Sequence, residues 1–227
     1  AKGVRAGDVR YFDYNEDGDI TDADRVNVGK AIPDFYGGIT SNFSYKGFDL
    51  SLFGQFSVGG KVMAAWRGVN GSEGTDHLGL ALSNVKVGDR GESVEQFFNI
   101  SKEVANGYWR GEGTSNSIPR PVRIGVHTGY DYDYNVQTST RYLEDASYFK
   151  LKTVTLGYTL PESITKKIHV NSLRVYVSAD NLLTFTKYSG YDPETSFSGS
   201  PGDSNYGVDF GLQPVLRTFI FGLNLNF

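Results

Sequence analysis

The sequence has no cysteine and no apolar run as long as the ~18 residues that a membrane-spanning helix requires. The absence of cysteine excludes structural disulfides and thiol catalysis. The absence of a long apolar run excludes a spanning helix but not a spanning strand, because such a strand is apolar on one face only. The excess of negative over positive charge is also small. A net charge of −4 over 227 residues indicates no nucleic-acid partner.

Aromatic residues and glycine are abundant instead, with 15 Tyr, 15 Phe and 28 Gly, and this composition favours strands and turns. The final segment, Arg217–Phe227, alternates between apolar and mostly small or polar residues. The apolar positions are Phe219, Phe221, Leu223, Leu225 and Phe227. About ten alternating residues suit a tilted strand that crosses a bilayer. The last strand of a soluble β-sandwich would alternate as well.

Alternation and turn signals predict five strands, at 36–45, 48–57, 147–160, 172–185 and 217–227. Lys46-Gly47 is the predicted hairpin turn, and Leu151 falls out of phase with its strand, which predicts a bulge. A short helix is expected within 93–108. The connections alternate between long and short, as in an up-and-down membrane barrel.

These strands divide the chain into four parts. They are a loop region at 1–35, a β-hairpin at 36–57, a long loop region at 58–146, and the last three strands with their connecting loop at 147–227. The fold class is all-β, a transmembrane antiparallel β-barrel with long extracellular loops. Five strands are too few to close a barrel, since the smallest have eight and lipid does not accept open edges. We therefore expect 36–45 and the terminal strand each to pair with a strand outside this sequence.

Five segments, in order along the chain, resemble the C-terminal end of the SusC/RagA-type TonB-dependent outer-membrane transporters of Bacteroidetes. They are 7–29, 32–60, 141–161, 173–194 and 217–227. The resemblance implies the last strands of a plugged barrel of about 22 strands. It also implies the outer membrane of a Gram-negative bacterium as location, with extracellular loops in contact with a SusD-like surface lipoprotein and lipid around the barrel. TonB would act through a plug that this sequence does not contain.

The implied function is TonB-dependent import of a large nutrient, and we expect an oligosaccharide. Peptide import, as in the RagA branch, is one alternative. Another is a secreted β-sandwich that binds glycans and carries a calcium loop, and a third is a fragment of a glycoside hydrolase. The chain begins AKGVRAGDVRYF, without an initiator Met or a signal peptide. Because an exported protein needs a signal, we expect that it was removed or that this sequence is part of a longer protein.

The acidic segment 13–24 has the spacing of a calcium-binding loop. Oxygen-bearing side chains and a glycine fall at positions 1, 3, 5, 6 and 12 of that motif, as Asp13, Asn15, Asp17, Gly18 and Asp24. Asp19 would offer its backbone carbonyl at position 7. Asp24 stands where Glu is usual, and its shorter arm makes bidentate ligation harder. The alternative is an acidic turn stabilised by its own side chains.

No catalytic constellation is indicated, so we expect no enzyme activity. His77, His127 and His169 lack metal-ligand spacing, and Glu144 and Asp145 are neighbours on a strand that point to opposite faces. Aromatic side chains in the loops are the candidates for nutrient contact, because flat rings suit sugar faces. They are Trp66, Tyr108 and Trp109, with Tyr130, Tyr132 and Tyr134, in the long region 58–146, and Tyr188 and Tyr191 in the polar loop 187–214. Local packing within the loops is the alternative for each.

Overall fold

The structure is a computed structural model that describes residues 4–67, 85–87, 92–94, 102–120, 135, 137–195 and 207–227. The chain forms two compact units. The first combines Ala1–Gly29, Met63–Leu143 and Val208–Gly211, and the second combines Lys30–Val62, Glu144–Gly207 and Leu212–Phe227. The sequence predicted loop regions before and after the first hairpin; the structure assigns most of both to the first unit.

Long strands dominate the second unit. In chain order, the strands of both units are β1 (Phe35–Tyr45), β2 (Phe48–Val58), β3 (Lys61–Ala64), β4 (Val85–Val87), β5 (Glu92–Val94), β6 (Leu143–Asp145), β7 (Tyr148–Thr159), β8 (Ser172–Thr186), β9 (Val208–Asp209) and β10 (Thr218–Asn226). The helices are α1 (Lys102–Gly107) and α2 (Glu162–Thr165), with single 3₁₀ turns at Asp22–Asp24, Ala65–Arg67, Thr140–Tyr142, Lys166–Ile168 and Pro193–Thr195. No helix in the described ranges is long and apolar enough to cross a membrane.

The second unit is built on one antiparallel sheet with the strand order β1-β2-β7-β8-β10. All five predicted strands are confirmed, and each end lies within one residue of its predicted position. The sheet is open in the described part of the chain, where β1 and β10 each have one hydrogen-bonded neighbour. Among the described residues the chain therefore does not close on itself, as expected; the closed barrel and its number of strands stay predictions.

The predicted turn and bulge are both present. Lys46 and Gly47 have φ values of 46° and 86°, the two positive angles that a tight type I′ hairpin needs. The β7 register shifts between Leu151 and Thr153, so one extra residue lies on that strand opposite β2. Because the shift reverses the phase, Leu151 stays on the same face as Val154 and Leu156. Its apparent departure from the alternation is thereby explained.

The register gives the sheet one apolar and one polar face. Phe221 on β10 pairs with Val177 on β8, which pairs with Leu156 on β7. Opposing residues share a face, so these apolar side chains form continuous rows. Gly222, Tyr176 and Gly157 form the next row, on the opposite face. Phe219, Phe221, Leu223 and Leu225 on β10 thus share the apolar face with Leu173, Val175 and Val177 on β8.

The first unit contains shorter elements. In it the end of β3 runs parallel to β9 through Met63↔Val208 and Ala64↔Asp209, and β4 pairs with β5. Helix α1 lies inside the segment predicted to hold one. Buried Ala64, Ala65, Val104 and Tyr142 supply the apolar interior. These strands are two to four residues long, too short for alternation to reveal them in the sequence.

One ion pair organises the N-terminal segment of the first unit. The Asp8 carboxylate accepts hydrogen bonds from Arg120 Nη2 at 3.0 Å and from Asn135 Nδ2 at 3.0 Å. Arg120 Nε lies 2.7 Å from Asp8 Oδ1 without hydrogen-bond alignment, so that contact is purely electrostatic. Burial raises the pKa of Asp8, but the hydrogen bonds from Arg120, Arg5 and Asn135 outweigh it and leave the pKa below the usual range.

Candidate functional site

A chain of polar contacts runs across the polar face of the five-stranded sheet. The Arg174 guanidinium donates to the Asp49 carboxylate, with Nε at 2.9 Å from Oδ1 and Nη2 bonded to Oδ2. Further along the same face, Thr155 and Ser178 share a hydrogen bond of 2.8 Å, and Thr153 donates to Asp180 at 3.0 Å. Every one of these contacts joins neighbouring or next-neighbouring strands, so the polar face is connected from β2 to β8.

The polar face ends in a lysine–carboxylate cluster. Lys150 on β7 is 2% exposed, and its Nζ lies 2.5 Å from Asp192 Oδ1 and 2.8 Å from Glu194 Oε2. Lys152 Nζ lies 2.7 Å from the same Glu194 oxygen. Gln55 on β2 donates to Glu194 Oε1 at 3.1 Å. A buried ammonium is costly unless it is paired, and two carboxylates satisfy Lys150 here.

The charges of the cluster affect Glu194 most clearly. Partial burial raises the pKa of Glu194, because it disfavours the carboxylate. Hydrogen bonds and the positive charges of Lys150 and Lys152 act in the opposite direction and prevail, so the pKa lies below its ordinary range. Glu194 is therefore ionised at neutral pH and can hold both lysines.

The cluster fixes the segment that follows β8. Residues 188–194 leave the strand and return to the sheet at Asp192 and Glu194. At the start of the segment, the Ser189 backbone N–H and hydroxyl donate to the Glu144 carboxylate at 2.8 and 2.7 Å. Between these two attachment points, the Tyr191 side chain is 77% exposed. The segment thus presents one aromatic ring to solvent from a fixed backbone.

The other described aromatic candidates are less exposed than Tyr191. In the first unit, Trp66, Tyr108 and Trp109 are half-buried. The ring of Trp109 packs on Gly7, where any Cβ would overlap it, and Arg110 stacks over Tyr108 with 4.6 Å to the ring centroid. In the second unit, Tyr188 is 6% exposed, whereas Tyr191 is open to solvent. Tyr130, Tyr132 and Tyr134 lie outside the described residues.

The aspartate-rich segment forms a compact loop. Backbone N–H groups of Asp17 and Gly18 donate to the Asp13 carboxylate at 3.2 and 2.8 Å. Those of Tyr14 and Thr21 donate to Asp24 at 2.8 and 2.7 Å. The Thr21 bond comes first among the contacts that hold the pKa of Asp24 below its usual range, and a hydrogen bond with Asp13 contributes as well. Asp13 and Asp24 therefore meet at the ends of the loop.

Other features of the calcium pattern are also visible. Gly18 has a φ of 89°, which suits the sharp turn expected at the sixth position. Asn15 donates to Asp17 at 2.7 Å, and Asp17 accepts from the Asp19 N–H at 2.9 Å. In the part of the chain that the structure describes, no three acidic, histidine or cysteine side chains are grouped to hold a metal ion. The calcium site stays a prediction.

The apolar face carries two bands of aromatic rings. At the end of the sheet with the short turn lie Tyr45, Phe48 and Tyr158, where the Phe48 and Tyr158 rings are 4.5 Å apart. At the opposite end lie two ring pairs with centroids 6.2 Å apart, Phe35 with Phe56 and Phe149 with Phe185. Aliphatic side chains such as Leu156 and Val177 occupy the region between the bands.

Comparison with known proteins gives consistent relatives. Two TonB-dependent receptors of Formosa agariphila, P3 and P26, are 33% and 31% identical over 97% and 100% of this chain, which covers 19% and 21% of theirs. The TonB-dependent receptor SusC of Bacteroides thetaiotaomicron is 26% identical over 96% of this chain, and the match covers 17% of the length of SusC. No protein-family model matches the sequence.

Solved structures agree with these relatives. The RagAB peptide importer in its closed-closed state aligns with a TM-score of 0.59 and 26% identity, covering 88% of this chain and 18% of that chain. Its open-open state aligns with a TM-score of 0.56 and 25% identity, covering 87% and 17%. The strand arrangement and the sequence similarity along nearly the whole chain confirm its resemblance to part of the SusC/RagA-type TonB-dependent receptors.

The chain spans about a fifth of the length of the curated relatives that it matches. One group of residues with a clear structural role escaped the sequence analysis, namely the cluster around Lys150. The available signal was the run Tyr148-Phe-Lys-Leu-Lys152, which places two lysines in a strand that is otherwise half apolar. Lysine is uncommon in strands, so paired lysines there indicate nearby carboxylates.

Proposed function

We propose that this chain forms part of the β-barrel wall of an outer-membrane transporter that imports a large nutrient in a TonB-dependent manner. The observation that carries the proposal is the two-faced, open five-stranded sheet in a chain related over nearly its whole length to TonB-dependent receptors. The whole transporter would be several times longer than this chain, with the missing strands beside β1 and β10. Its role is transport, without a chemical reaction.

The apolar face supports a lipid environment. Phe221 is 80% exposed and Leu223 is 67% exposed, an arrangement that water disfavours over so many neighbouring side chains. From Phe48 to Phe56, β2 advances by roughly 26 Å, or roughly 20 Å along the membrane normal for a strand tilted by about 40°. That distance approaches the apolar band of about 25 Å between the aromatic girdles of membrane barrels.

The polar face supports a water-filled interior. An ion pair such as Arg174–Asp49 would be costly against lipid, whereas a barrel lumen keeps it hydrated. The soluble alternative, a glycan-binding β-sandwich, requires a second sheet over the apolar face. The exposure of that face among the described residues argues against it, since Phe43, Phe48 and Phe185 are all more than half exposed.

The proposed partners follow from the relatives. SusC and the RagAB importer belong to the same type, so we propose that a SusD-like surface lipoprotein contacts the long connections of this chain. These connections would then be extracellular. TonB would act through the part of the transporter outside this sequence, and the host would be a Gram-negative bacterium.

The proposed nutrient is an oligosaccharide. Tyr191, exposed and backed by a fixed segment, offers a flat ring of the kind that stacks on sugar faces. Trp66, Tyr108 and Trp109 are further candidates for nutrient contact. Tyr188 was a candidate as well, but at 6% exposure it would support its segment instead of touching the nutrient. A second candidate is a peptide, which the similarity to a peptide importer favours.

Uptake by cells separates the two nutrients. The full-length gene is deleted, and cells are tested with fluorescent neutral hexasaccharides of glucose, xylose and mannose and with a fluorescent pool of tryptic peptides. Complementation should restore uptake of one class of hexasaccharide. Restored peptide uptake alone would favour the second candidate, and unchanged uptake of every probe in the deletion strain would contradict the transport proposal for these nutrients.

We also propose that the 13–24 loop binds Ca²⁺. The side chains of Asp13, Asn15, Asp17 and Asp24 and the Asp19 carbonyl would supply the oxygen ligands. Support comes from the spacing, the left-handed Gly18 and the approach of Asp13 to Asp24. The ion would stiffen the loop rather than take part in transport chemistry.

A further inference from the structure

Residues 188–194 form a segment of the second unit. Two separate sets of polar contacts attach it to the rest of that unit. Ser189 is held by Glu144 through two hydrogen bonds. Asp192 and Glu194 are held by Lys150, and Glu194 also by Lys152 and Gln55. Gly190 and Tyr191 lie between the two sets. A stretch of only two residues between such attachments has little freedom to move.

Lys150 is the central member of the second set. Its ammonium is almost completely buried, and it contacts both Asp192 and Glu194. The same Asp192 oxygen accepts the Glu194 backbone N–H at 2.9 Å, so the lysine also stabilises the turn of the segment. Without this ammonium, Asp192 and Glu194 would lose the positive charge that they share on the polar face, and the segment would be held less firmly.

The packing of the segment agrees with a fixed conformation. Tyr188 and Pro193 are buried, and the ring of Tyr188 lies directly against Gly190, where any Cβ would overlap it. Tyr191 is the exception, since most of its ring is exposed to solvent. The segment therefore presents an exposed ring from a backbone that is held on both sides.

We propose that Lys150 is a positioning residue that fixes the Tyr191 ring, through Asp192 and Glu194, for stacking against a sugar ring of the imported nutrient. This inference rests on the proposed function. Lys150 itself makes no contact with the nutrient. A fixed ring loses little conformational entropy on binding, so its fixation increases affinity without adding a contact.

The position of the ring can be tested without any nutrient. The chain has no cysteine, so Tyr191→Cys in the full-length transporter provides a site for a nitroxide label once any cysteine elsewhere in that protein has been replaced. The electron paramagnetic resonance spectrum in outer-membrane preparations reports how freely the label rotates. We expect an ordered spectrum that becomes mobile with Lys150→Met and stays ordered with Lys150→Arg. Equal mobility in all three backgrounds would overturn the inference.

A matched control is Lys166→Met. Lys166 pairs with Glu162 at 2.7 Å on an exposed turn distant in sequence from the segment, and its loss should leave the label ordered. Assembly of each variant is checked by heat-modifiable migration. If Lys150→Met does not assemble, Lys152→Met replaces it, because Lys152 holds Glu194 only and should loosen the segment partially. In that case, a label that stays ordered in the assembled Lys152→Met variant would count against the inference.

Uptake of the fluorescent hexasaccharide then links position to function. Tyr191→Ala should raise the half-saturating concentration about fivefold and leave the maximal rate unchanged, the expected loss of one stacking contact. Lys150→Met should have a similar effect, and the double variant should be no worse than Tyr191→Ala alone. Additive losses would overturn the inference. If the intact transporter takes up none of the hexasaccharides, the proposed nutrient is wrong, and the label experiment alone decides the role of Lys150.

Discussion

Arg174 on β8 and Asp49 on β2 form a bidentate ion pair although β7 lies between their strands. The pair passes over Gly157, the β7 residue that is paired directly with Asp49. A Cβ at this position would overlap both the guanidinium and the carboxylate. Glycine is therefore needed here for space, and not for a special backbone conformation, since its φ is not among the positive values.

Gly157→Ala should weaken the sheet. The added methyl group has to displace Arg174 or Asp49, and overpacking of this kind costs about 1–3 kcal/mol. We expect a lower temperature for the heat-modifiable transition of the full-length protein. Thr159→Ala, on the same strand and face but exposed, is the control and should have little effect. In an Asp49→Ala, Arg174→Ala background the cost of Gly157→Ala should shrink; an unchanged cost would mean that the ion pair is not the obstacle.

The central sheet could be predicted because its strands are nine to fifteen residues long and mostly alternate. The Lys46-Gly47 turn and the bulge beside Leu151 followed from local rules, since each depends on neighbouring residues only. The ion pair between Arg174 and Asp49 could not be predicted in this way, because the two residues are separated by 125 positions and by an intervening strand. Such a pair depends on the order of the strands in the sheet, which the alternation within single strands does not reveal.

The candidate sites show the same limit. The 13–24 loop was found from spacing alone, because its contacts lie within the segment. The Lys150 cluster was missed, since it exists only when residues 188–194 return to the sheet, about 40 positions along the chain. Tyr188 and Tyr191 looked equivalent in sequence; their exposures of 6% and 77% follow from how that return packs.

The assignment of faces predicts an asymmetry between two arginine substitutions on β10. Phe221→Arg places a charge on the proposed lipid face, where it costs roughly 2–4 kcal/mol near mid-membrane. Asn224→Arg places the same charge beside Arg174 on the polar face, where water can hydrate it. We expect much poorer surface exposure and heat-modifiable migration for Phe221→Arg in the full-length protein. Equal tolerance of the two substitutions would contradict a lipid-facing Phe221.

The Lys150 cluster should weaken in acid. The pKa of Glu194 is lowered in the folded protein from its ordinary value of 4.5, so the carboxylate stabilises the fold above that value. The contribution falls as the pH decreases through the lower, folded pKa. We expect the thermal transition of the intact transporter to drop more steeply between about pH 5 and 3 than that of Glu194→Gln, which cannot titrate there. Parallel pH profiles for the two proteins would show that Glu194 does not contribute to this pH dependence.

The proposed calcium loop at 13–24 can be tested directly through its ligands. In calcium buffer we expect an ion with oxygen ligands at about 2.3–2.6 Å, and Tb³⁺ luminescence that Ca²⁺ suppresses by competition. Asp17→Ala removes the ligand at the fifth position and should abolish the signal while the barrel strands assemble normally. Asp22→Ala is the matched control: this exposed carboxylate lies in the same loop but pairs with Arg25 at 2.9 Å and occupies no ligand position. Equal luminescence from both variants would leave the segment as an acidic turn, held together by the hydrogen bonds that Asp13 and Asp24 already accept.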